Sequence, residues 1–524
     1  MITTAHRIAG LSASEKRALL VELLKKKPEH SAAVFPLSYN QQGIWFLYQL
    51  APESTVYNVT FAARVCSAVD LAALRRAFQA LVDRHPSLRT TFSVAGGKPM
   101  QKIHRHQQVH FVQTDAAAWG DDELKARLLE DAYRPFDLER GPVLRVSLFT
   151  RSADEHVLLL AVHHIVIDFW SLAIIMNEIG VLYSAEKAGV PAVLPALETQ
   201  YTDYVRWQSE TLEGPQGEML WAYWRKQLAG TLPMLDLPID RPRPPIPTYR
   251  GASYDFNLSR ELSGSLKTLA KAQGATLYTV LLAAFQTTLY DLTGHEDLLV
   301  ATPMVGRNRA EFEGIVGLFT NPVMLRADLS GNPTFATFLG CVRQSVLAAL
   351  EYQDYPTLLL VQRLQPPRDL SRPPLSQVMF VLDKPHQVAE EGASAFALGE
   401  TGLRMNPGGL VLESFPLERR AATLDLVMLI IETASALSIS IRYNSDLFDP
   451  ATIVRVAGHF EQVLRHIVTS PDVRLNELRE VLAKEDRQQQ LAARKTRKDA
   501  NHQKLTQVKR KPASASQLSN DCRS

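Results

Sequence analysis

The chain has 524 residues, more than one hydrophobic core usually serves, so we expect two or three compact units. With 46% hydrophobic and 21% charged residues, its composition is that of a globular protein. The net charge of +2 is unevenly spread: residues 481–524 hold 11 Lys or Arg and 4 Asp or Glu, which leaves 46 basic and 51 acidic residues elsewhere. The body of the chain therefore gives no reason to expect a nucleic-acid partner.

The cysteines and the apolar runs indicate in which cellular compartment the protein is expected. Cys66, Cys341 and Cys522 are too far apart in sequence to indicate a disulfide framework or a zinc site. No apolar run reaches the roughly 20 residues of a membrane helix, and the N-terminus has no signal-peptide pattern. We therefore expect a cytoplasmic protein, outside the membrane.

The first part of the chain alternates strand and helix patterns. Residues 1–35 form a leader, in which Ser12 and Glu15 match a capping box before a short amphipathic helix. Residues 36–230 are expected to form a first lobe, with an interior strand over 157–163 because both of its faces are apolar. Further predicted elements are a helix over 70–84, a strand over 143–150 and a helix capped by Ser171.

A proline-rich segment separates this lobe from the next. In residues 231–250 each proline fixes φ and removes an amide donor, which predicts an extended connector. Residues 251–482 should form the second lobe, and residues 483–524, which are polar and basic, should be largely disordered. Predicted elements of the second lobe are helices near 262–273, 277–292 and 450–467, strands near 297–301 and 376–382, and a hairpin over 424–443.

The strongest chemical signal is a pair of histidines followed by a carboxylate. His163, His164 and Asp168 come directly after the apolar run 157–162. Such groups are costly to bury unless paired, and imidazole titrates near neutral pH, which suits proton transfer. Because neighbouring strand residues point to opposite faces, one histidine should face a cleft while the other packs inside.

A metal site is the main alternative for these residues, since two His and one Asp can form a facial triad. Adjacent histidines on a strand diverge, and no further His or Glu cluster supplies replacement ligands. We therefore expect no metal. The sequence also has no nucleophile elbow, phosphate loop or dinucleotide fingerprint, which favours a His-assisted reaction between two bound substrates.

The stretch from His163 to Asp168 resembles the HHxxxDG motif of nonribosomal peptide synthetase condensation domains, which are relatives of chloramphenicol acetyltransferase. Six further stretches match this family in order, and the resemblance covers residues 36–482. They are Ser38–Leu47, Arg84–Phe92, Tyr201–Trp207, Val316–Arg326, Tyr352–Pro356 and Arg368–Leu375.

The resemblance implies an α/β (α+β) fold with two chloramphenicol acetyltransferase-like lobes in a V, a pseudo-dimer with a tunnel between the lobes. Residues 301–321 would form the floor loop, and the region 371–383 would begin a latch that crosses between lobes. A donor carrier protein, and either an acceptor carrier or a free small molecule, would deliver substrates. Carriers supply the phosphopantetheine arm, so the chain itself would bind no cofactor and act as a monomer.

On this resemblance His164 is the expected catalytic imidazole, and His163 is expected to be structural. Asp168 should be an architectural anion that needs a buried cation, for which Arg89 is the candidate. The remaining candidates for the tunnel or substrate site are Phe169, Trp170, Ser171 and Asn321, of which Asn321 could instead hold a loop.

Two positions depart from the family pattern. Phe169 stands where glycine is usual, and a phenyl ring there would narrow the tunnel or displace the turn, which suggests an altered acyl channel for a polyketide or fatty acyl donor. Gly43 stands where an Arg is usual. The basic stretch 494–511 could contact an acidic carrier, or it could be a solvated tail.

The expected function is amide formation in nonribosomal peptide or hybrid polyketide biosynthesis. An ester-forming chain-release enzyme is an alternative, because His164 would serve either nucleophile. A carrier-binding scaffold without activity is another, and an epimerase relative is disfavoured because no matching Glu motif is found. No adenylation or carrier segment is recognisable in the chain, so we expect both substrates to come from other proteins.

Overall fold

The computed structural model describes residues 33–367, 369–383, 403–433, 436–485 and 487–488. The predicted leader helix near Ser12, most of the predicted tail, Arg368 of the seventh motif and the tip of the predicted hairpin at 434–435 lie outside these residues. The strands are β1 (Ala33–Pro36), β2 (Asn58–Val65), β3 (Thr90–Ala95), β4 (Lys98–Ile103), β5 (His110–Asp115), β6 (Leu144–Thr150), β7 (His156–His163), β8 (Gly251–Asn257), β9 (Asp297–Met304), β10 (Asn321–Asp328), β11 (Val378–Asp383), β12 (Arg404–Met405), β13 (Leu412–Ser414), β14 (Leu426–Glu432) and β15 (Leu437–Asn444).

Helices pack against these strands in both halves of the chain. They are α1 (Tyr39–Leu50), α2 (Leu71–Arg84), α3 (Asp121–Ala132), α4 (Phe169–Ala188), α5 (Tyr201–Glu213), α6 (Pro215–Gln227), α7 (Arg260–Ala272), α8 (Leu277–Thr293), α9 (Phe335–Glu351), α10 (Thr357–Leu364), α11 (Pro450–Thr469) and α12 (475–485). None of the described helices is both long and apolar enough to cross a membrane.

The first sheet has six strands in the order β12-β13-β2-β7-β6-β5, and β1-β4-β3 form a small sheet beside it. All eight residues of β7 are buried, so the predicted interior strand is confirmed. The strand is apolar on both faces because one face contacts the helix-packed core and the other contacts a smaller cluster near α3. The pairing of β2 with β7 places Asn58 opposite His163, at the end of the strand that bears the histidines.

The second sheet has the order β10-β9-β11-β14-β15-β8. Its strands β14 and β15 pair antiparallel from Leu426↔Tyr443 to Glu432↔Leu437, as the sequence pattern predicts for a hairpin. Helices α8 and α11 lie against this sheet in a second core. The proline-rich residues 231–250 form neither helix nor strand until the single bridge at Arg250, which agrees with the predicted connector.

Two segments from the second half of the chain cross to the first sheet. Of the predicted floor loop, 301–321, residues 301–304 end β9 and Asn321 begins β10. The remaining residues, 305–320, are called the floor loop below, and they bury Phe312, Val316 and Phe319 in the first core. The latch, which we define as β12 and β13 with the turn between them, extends the first sheet through pairing of Glu413 with Arg64. Each core is therefore completed by distant parts of the sequence.

One predicted helix start is wrong. The residue that caps α4 is Asp168, whose Oδ1 accepts the amide of Ser171 at 2.7 Å. Ser171 lies in the first turn of the helix, three residues after the cap. Asp is as good a cap as Ser, and its carboxylate also favours the positive end of the helix dipole.

Candidate active site

The chain reverses direction directly after His163, and this turn separates the two histidines. His163 ends β7 and donates its amide to Val143 O, whereas His164 begins a short 3₁₀ turn and donates its amide to Tyr57 O. The His163 side chain is buried and that of His164 is partly exposed. The divergence predicted from strand alternation is therefore present, with His164 as the accessible member.

His164 is held in one tautomer. Its Nδ1 lies 2.5 Å from the carbonyl oxygen of Ile167. Because a carbonyl oxygen only accepts hydrogen bonds, Nδ1 must carry the proton when the ring is neutral, and the lone pair is then on Nε2. The ring of Tyr57 lies 6.2 Å away and packs at a tilt against the imidazole. The imidazole of His164 is therefore held in place, with Nε2 as the proton acceptor on the side of the ring away from the Ile167 carbonyl.

His163 has the opposite hydrogen-bond pattern. Its Nδ1 accepts the amide of Ile165 at 3.2 Å, and its ring makes an edge contact with Phe136 at 5.7 Å. Burial, with the nearby charges of His164 and Arg145, lowers the pKa of His163 to about 3. A neutral, enclosed ring that receives a backbone amide supports the turn and has no access to a substrate.

Asp168 is fully buried, and its cation is Arg307. The Nη2 of Arg307 lies 3.1 Å from Oδ1 and 3.3 Å from Oδ2 of Asp168, with both side chains almost completely inaccessible. The carboxylate also accepts the Ser171 hydroxyl at 2.6 Å and the Phe319 amide at 3.1 Å. These partners, together with the Ser171 amide, satisfy the charge, as a buried carboxylate requires.

The predicted pairing of Asp168 with Arg89 is wrong. Arg89 donates from Nη1 to the carbonyl oxygen of His104, which directly follows β4, and forms no ion pair among the described residues. The expectation failed because Arg307 is 139 residues from Asp168 in the sequence, and local sequence patterns do not show which distant residues meet in the fold. The sequence feature that could have indicated Arg307 as the partner is the loop Gly306-Arg307-Asn308-Arg309, which places two cations immediately after the buried strand β9.

Arg307 and Ser171 tie the floor loop to the first turn of α4. Arg307 donates from Nη1 to Phe312 O at 2.6 Å and to Ile315 O at 2.7 Å, across the loop. The Ser171 hydroxyl lies 3.0 Å from the amide nitrogen of Gly317 and 2.9 Å from its carbonyl oxygen. Ser171 therefore belongs to the support of the site, where it joins the two lobes, and is buried away from substrate.

Trp170 and Phe169 occupy the start of the same helix. The indole Nε1 of Trp170 donates to Glu313 O at 2.9 Å, so this side chain also holds the floor loop. Phe169 is partly buried against the first core as the first residue of α4, and it is not one of the non-glycine residues with positive φ. Glycine is therefore not required for the backbone conformation at this position.

Asn321 holds a loop, as one of the two sequence interpretations states. Its amide donates to Gln353 O at 2.9 Å and to Tyr355 O at 2.8 Å, and its oxygen accepts the amide of Thr357 at 3.1 Å. With every polar atom of this buried side chain engaged, Asn321 fixes the sixth motif against β10.

The first motif contacts the histidine turn and the floor loop together. Gln41 donates to Ile165 O at 3.1 Å, and Ser38 shares a hydrogen bond with the Tyr201 hydroxyl, which in turn donates to Leu318 O. At Gly43 an added Cβ would meet no atom within 4 Å, so the departure from the family pattern leaves open space. The motifs that are scattered along the sequence thus converge on one structure, the turn that presents His164.

The geometry does not favour the metal alternative. The oxygens of Asp168 are occupied by a guanidinium, a hydroxyl and amides, and Nδ1 of the buried His163 accepts a backbone amide. Among the described ranges, no group of three or more His, Cys, Asp or Glu side chains is arranged to hold a metal ion.

Comparison with known proteins agrees with this arrangement. The family model described as "Condensation domain" matches residues 31–491. A linear gramicidin synthase of Brevibacillus parabrevis is 42% identical over 440 residues, which cover 83% of this chain and 6% of that protein. Chondramide synthase cmdD of Chondromyces crocatus is 37% identical over 456 residues, 86% of this chain and 11% of that protein. The chain thus spans only a small part of these curated relatives.

Solved structures give the same answer for the fold. A four-domain nonribosomal peptide synthetase bound to AMP and glycine matches with a TM-score of 0.76 and 23% identity, over 86% of this chain and 34% of that one. The X-domain from teicoplanin biosynthesis matches with a TM-score of 0.76 and 28% identity, over 86% of this chain and 98% of that one. The fold is therefore the mixed helix and sheet fold of chloramphenicol acetyltransferase-like proteins, and the chain belongs to the condensation domain family.

Proposed function

We propose that this chain transfers an acyl, peptidyl or polyketide group from the thioester of a donor carrier protein to an amine. The acceptor is a second carrier-bound substrate or a free small molecule. The observation that supports this most directly is the tautomer of His164, because commitment of Nδ1–H to Ile167 O leaves Nε2 as an acceptor. An imidazole in this form can take the proton of an attacking amine.

In the proposed step the amine nitrogen attacks the carbonyl carbon of the thioester, a C–N bond forms and the C–S bond breaks. The proton that the amine loses passes to Nε2 of His164 and then to the departing thiolate. General-base assistance contributes roughly 10²–10⁴ in rate. Correct placement of two tethered substrates can contribute about 7–11 kcal/mol, so we expect positioning to be the larger effect.

Asp168 and Arg307 act in this proposal as positioning residues. Neither hydrogen-bonds to His164, and together they fix the floor loop against the helix that follows the histidine turn. The carrier protein supplies the phosphopantetheine arm, so the chain requires no cofactor of its own. We place the two carriers, and the pathway, in peptide or hybrid polyketide biosynthesis by analogy with the gramicidin and chondramide synthases.

Two alternatives remain to be separated by experiment. Ester formation uses the same imidazole with a hydroxyl acceptor. A carrier-binding scaffold without transfer activity is the other alternative, and the similar X-domain of teicoplanin biosynthesis has been solved as a complex with a protein, OxyB. The oriented, partly exposed His164 is the feature that favours an enzyme over a scaffold.

The deciding experiment is intact-protein mass spectrometry of an acyl-loaded carrier protein incubated with an aminoacyl carrier, a small amine or a small alcohol. We expect transfer to an amine by the wild-type chain and a loss of at least about 10²-fold with His164→Ala. His106→Ala is the matched control, because His106 is exposed and its ion pair among the described residues is with Asp83. Carrier binding without transfer to any acceptor would instead establish the scaffold.

The same assay tests the hypothesis of an altered acyl channel. Phe169→Gly restores the usual residue of the family at the first position of α4. A series of short and long acyl donors should then show a changed preference relative to wild type. An unchanged preference would remove Phe169 as a determinant of the donor.

A further inference from the structure

Arg442 is a cation for which the described part of the chain shows no ion-pair partner. It lies in β15, and no ion pair or side-chain hydrogen bond to it is found among the described residues; its Nε is buried without a partner. The residue as a whole is partly exposed, whereas its Nε is enclosed. An Arg in such surroundings normally has a carboxylate or several carbonyl oxygens around it.

The side chain of Arg442 points away from the second core. Its neighbours Ile441 and Tyr443 are buried in that core, and alternate residues of a strand face opposite sides. Directly beside Arg442 on this outer face are Val427 of β14 and Ser253 of β8, which are its register partners. Neither can neutralise a positive charge.

The outer face of the second sheet is turned here toward the first lobe. Tyr133, which follows α3, lies close enough to influence the charge of Arg442, and its hydroxyl donates to Glu418 O and accepts the amide of Arg420. Next to Tyr133, Asn58 donates to the carbonyl oxygens of Ala132 and Arg134. Asn58 is opposite His163 in the first sheet, so the segment that carries Tyr133 is hydrogen-bonded to the end of the sheet that bears the histidines.

The local electrostatics are unfavourable for an isolated cation. Burial and the positive charge of Arg419 lower the pKa of Arg442 to about 9, and Asp255 and Tyr133 only partly oppose this shift. Asp255 is exposed, has a hydrogen bond with Ser253 and makes no ion pair with Arg442. The group remains a cation at neutral pH, and among the described residues it has no ion pair to offset the cost of its burial.

We propose that Arg442 is a specificity residue that binds a carboxylate carried by the substrate. A guanidinium with free terminal nitrogens matches the two oxygens of a carboxylate in a bidentate contact. The inference rests on the proposed acyl transfer and adds a substrate class to it: at least one of the two joined groups has an acidic side chain or a free acid. The anion would supply a partner that the described residues do not provide.

The test compares substrates that differ only in charge. Succinyl-loaded and succinamoyl-loaded carriers serve as donors, and aspartyl and asparaginyl carriers serve as acceptors. In at least one of these two pairs, donor or acceptor, we expect wild type to have a higher kcat/KM for the acid than for the amide. For Arg442→Gln we expect the acid-to-amide ratio of kcat/KM in that pair to fall about 10- to 100-fold. Arg442→Lys should retain part of the preference, and Arg465→Gln, which changes an exposed Arg of α11, should retain all of it.

Binding and stability provide readouts that do not need the reaction. Titration calorimetry with succinyl-pantetheine and its amide should show tighter binding of the acid by wild type and by His164→Ala, but not by Arg442→Gln. Arg442→Met should leave the unfolding midpoint unchanged or higher, because no partner is lost. If the acid binds more tightly than the amide but no acyl transfer occurs, the proposed function is refuted and this inference stands. If transfer occurs but the acid-to-amide ratio is the same in wild type and Arg442→Gln, this inference is refuted and the proposed function stands.

Three results would overturn the inference. One is an equal loss for acid and amide substrates in Arg442→Gln. Another is a loss that appears only with phosphopantetheine and not with pantetheine, which would assign the cation to the phosphate of the arm. The third is a marked destabilisation by Arg442→Met, which would make Arg442 a structural residue.

Discussion

The two adjacent histidines differ in both hydrogen bonding and accessibility, although they are neighbours in the sequence. Each uses Nδ1 toward its own turn, but His163 accepts an amide there and His164 donates to a carbonyl. Strand alternation was enough to predict that the side chains diverge. Which of them would be accessible, and in which tautomer, depends on the backbone of the 3₁₀ turn, and sequence periodicity contains no information on that.

Protonation of His163 should make the stability of the protein depend on pH. Its pKa is lowered to about 3 in the folded chain, against about 6.5 when unfolded, so the unfolded state binds more protons below about pH 6.5. The free energy of unfolding should therefore decrease as the pH is lowered through this window, by about 2 kcal/mol from pH 7 to pH 5. Urea denaturation at the two pH values measures it.

His163→Asn supplies the comparison for that experiment, because its side-chain oxygen can still accept the amide of Ile165. The variant lacks the titrating group, so the difference between its stabilities at pH 7 and pH 5 should be about 2 kcal/mol smaller than for wild type. An identical pH dependence in the two proteins would show that His163 is not neutralised by burial.

The ion pair of Asp168 with Arg307 should be one of the costliest single contacts to break. Arg307→Ala leaves a buried carboxylate without its cation, and we expect a loss of about 3–5 kcal/mol in the free energy of unfolding. Arg89→Ala removes a hydrogen bond to one carbonyl oxygen, with an expected cost of about 1–3 kcal/mol. Equal destabilisation by the two variants, in denaturant titration, would contradict this assignment.

At the scale of elements, helix α4 carries most of the site. Its first turn includes Asp168 as cap, Trp170 and Ser171, all of which hold the floor loop. Farther along, the same helix meets the latch at Gly180, where the turn after Asn406 lies directly on the helix backbone. The sequence predicted the helix from its apolar spacing, but it could not show that two segments from the other lobe cover it.

Close packing at Gly180 explains why this helix position lacks a side chain. A Cβ there would be 2.6 Å from Cβ and 2.7 Å from the carbonyl carbon of Pro407, too near for any real contact. Gly180→Ala should therefore lower the free energy of unfolding by about 1–3 kcal/mol. It should also increase hydrogen exchange in β12 and β13, because their turn is displaced.

Gly458→Ala is the control for this prediction. Gly458 lies within α11, and a Cβ there meets nothing within 4 Å. Alanine is the better helix residue by about 0.5–1 kcal/mol, so this variant should be slightly stabilised and its latch should exchange as in wild type. Loss of stability in both variants would mean that the contact with the latch is not the cause.

At the scale of the whole molecule, the cores do not follow the order of the sequence. Leu220 and Trp224, which the sequence assigns to the first lobe, are buried in the second core. Phe312 and Phe319 of the floor loop and Leu412 of the latch are buried in the first. Apolar periodicity tells which face of an element is covered but not which part of the chain covers it, so elements were predictable and these exchanges were not.

Because each core needs residues from the other half of the chain, we expect the described body to unfold in one cooperative transition. Phe319→Ala in the first core and Phe460→Ala in the second each remove a fully buried ring and should cost about 3–5 kcal/mol. In scanning calorimetry both variants should lower the midpoint of the same single transition. If the lobes were independent, two transitions would appear and each variant would shift only its own, since Phe319 would then belong to one folding unit and Phe460 to the other.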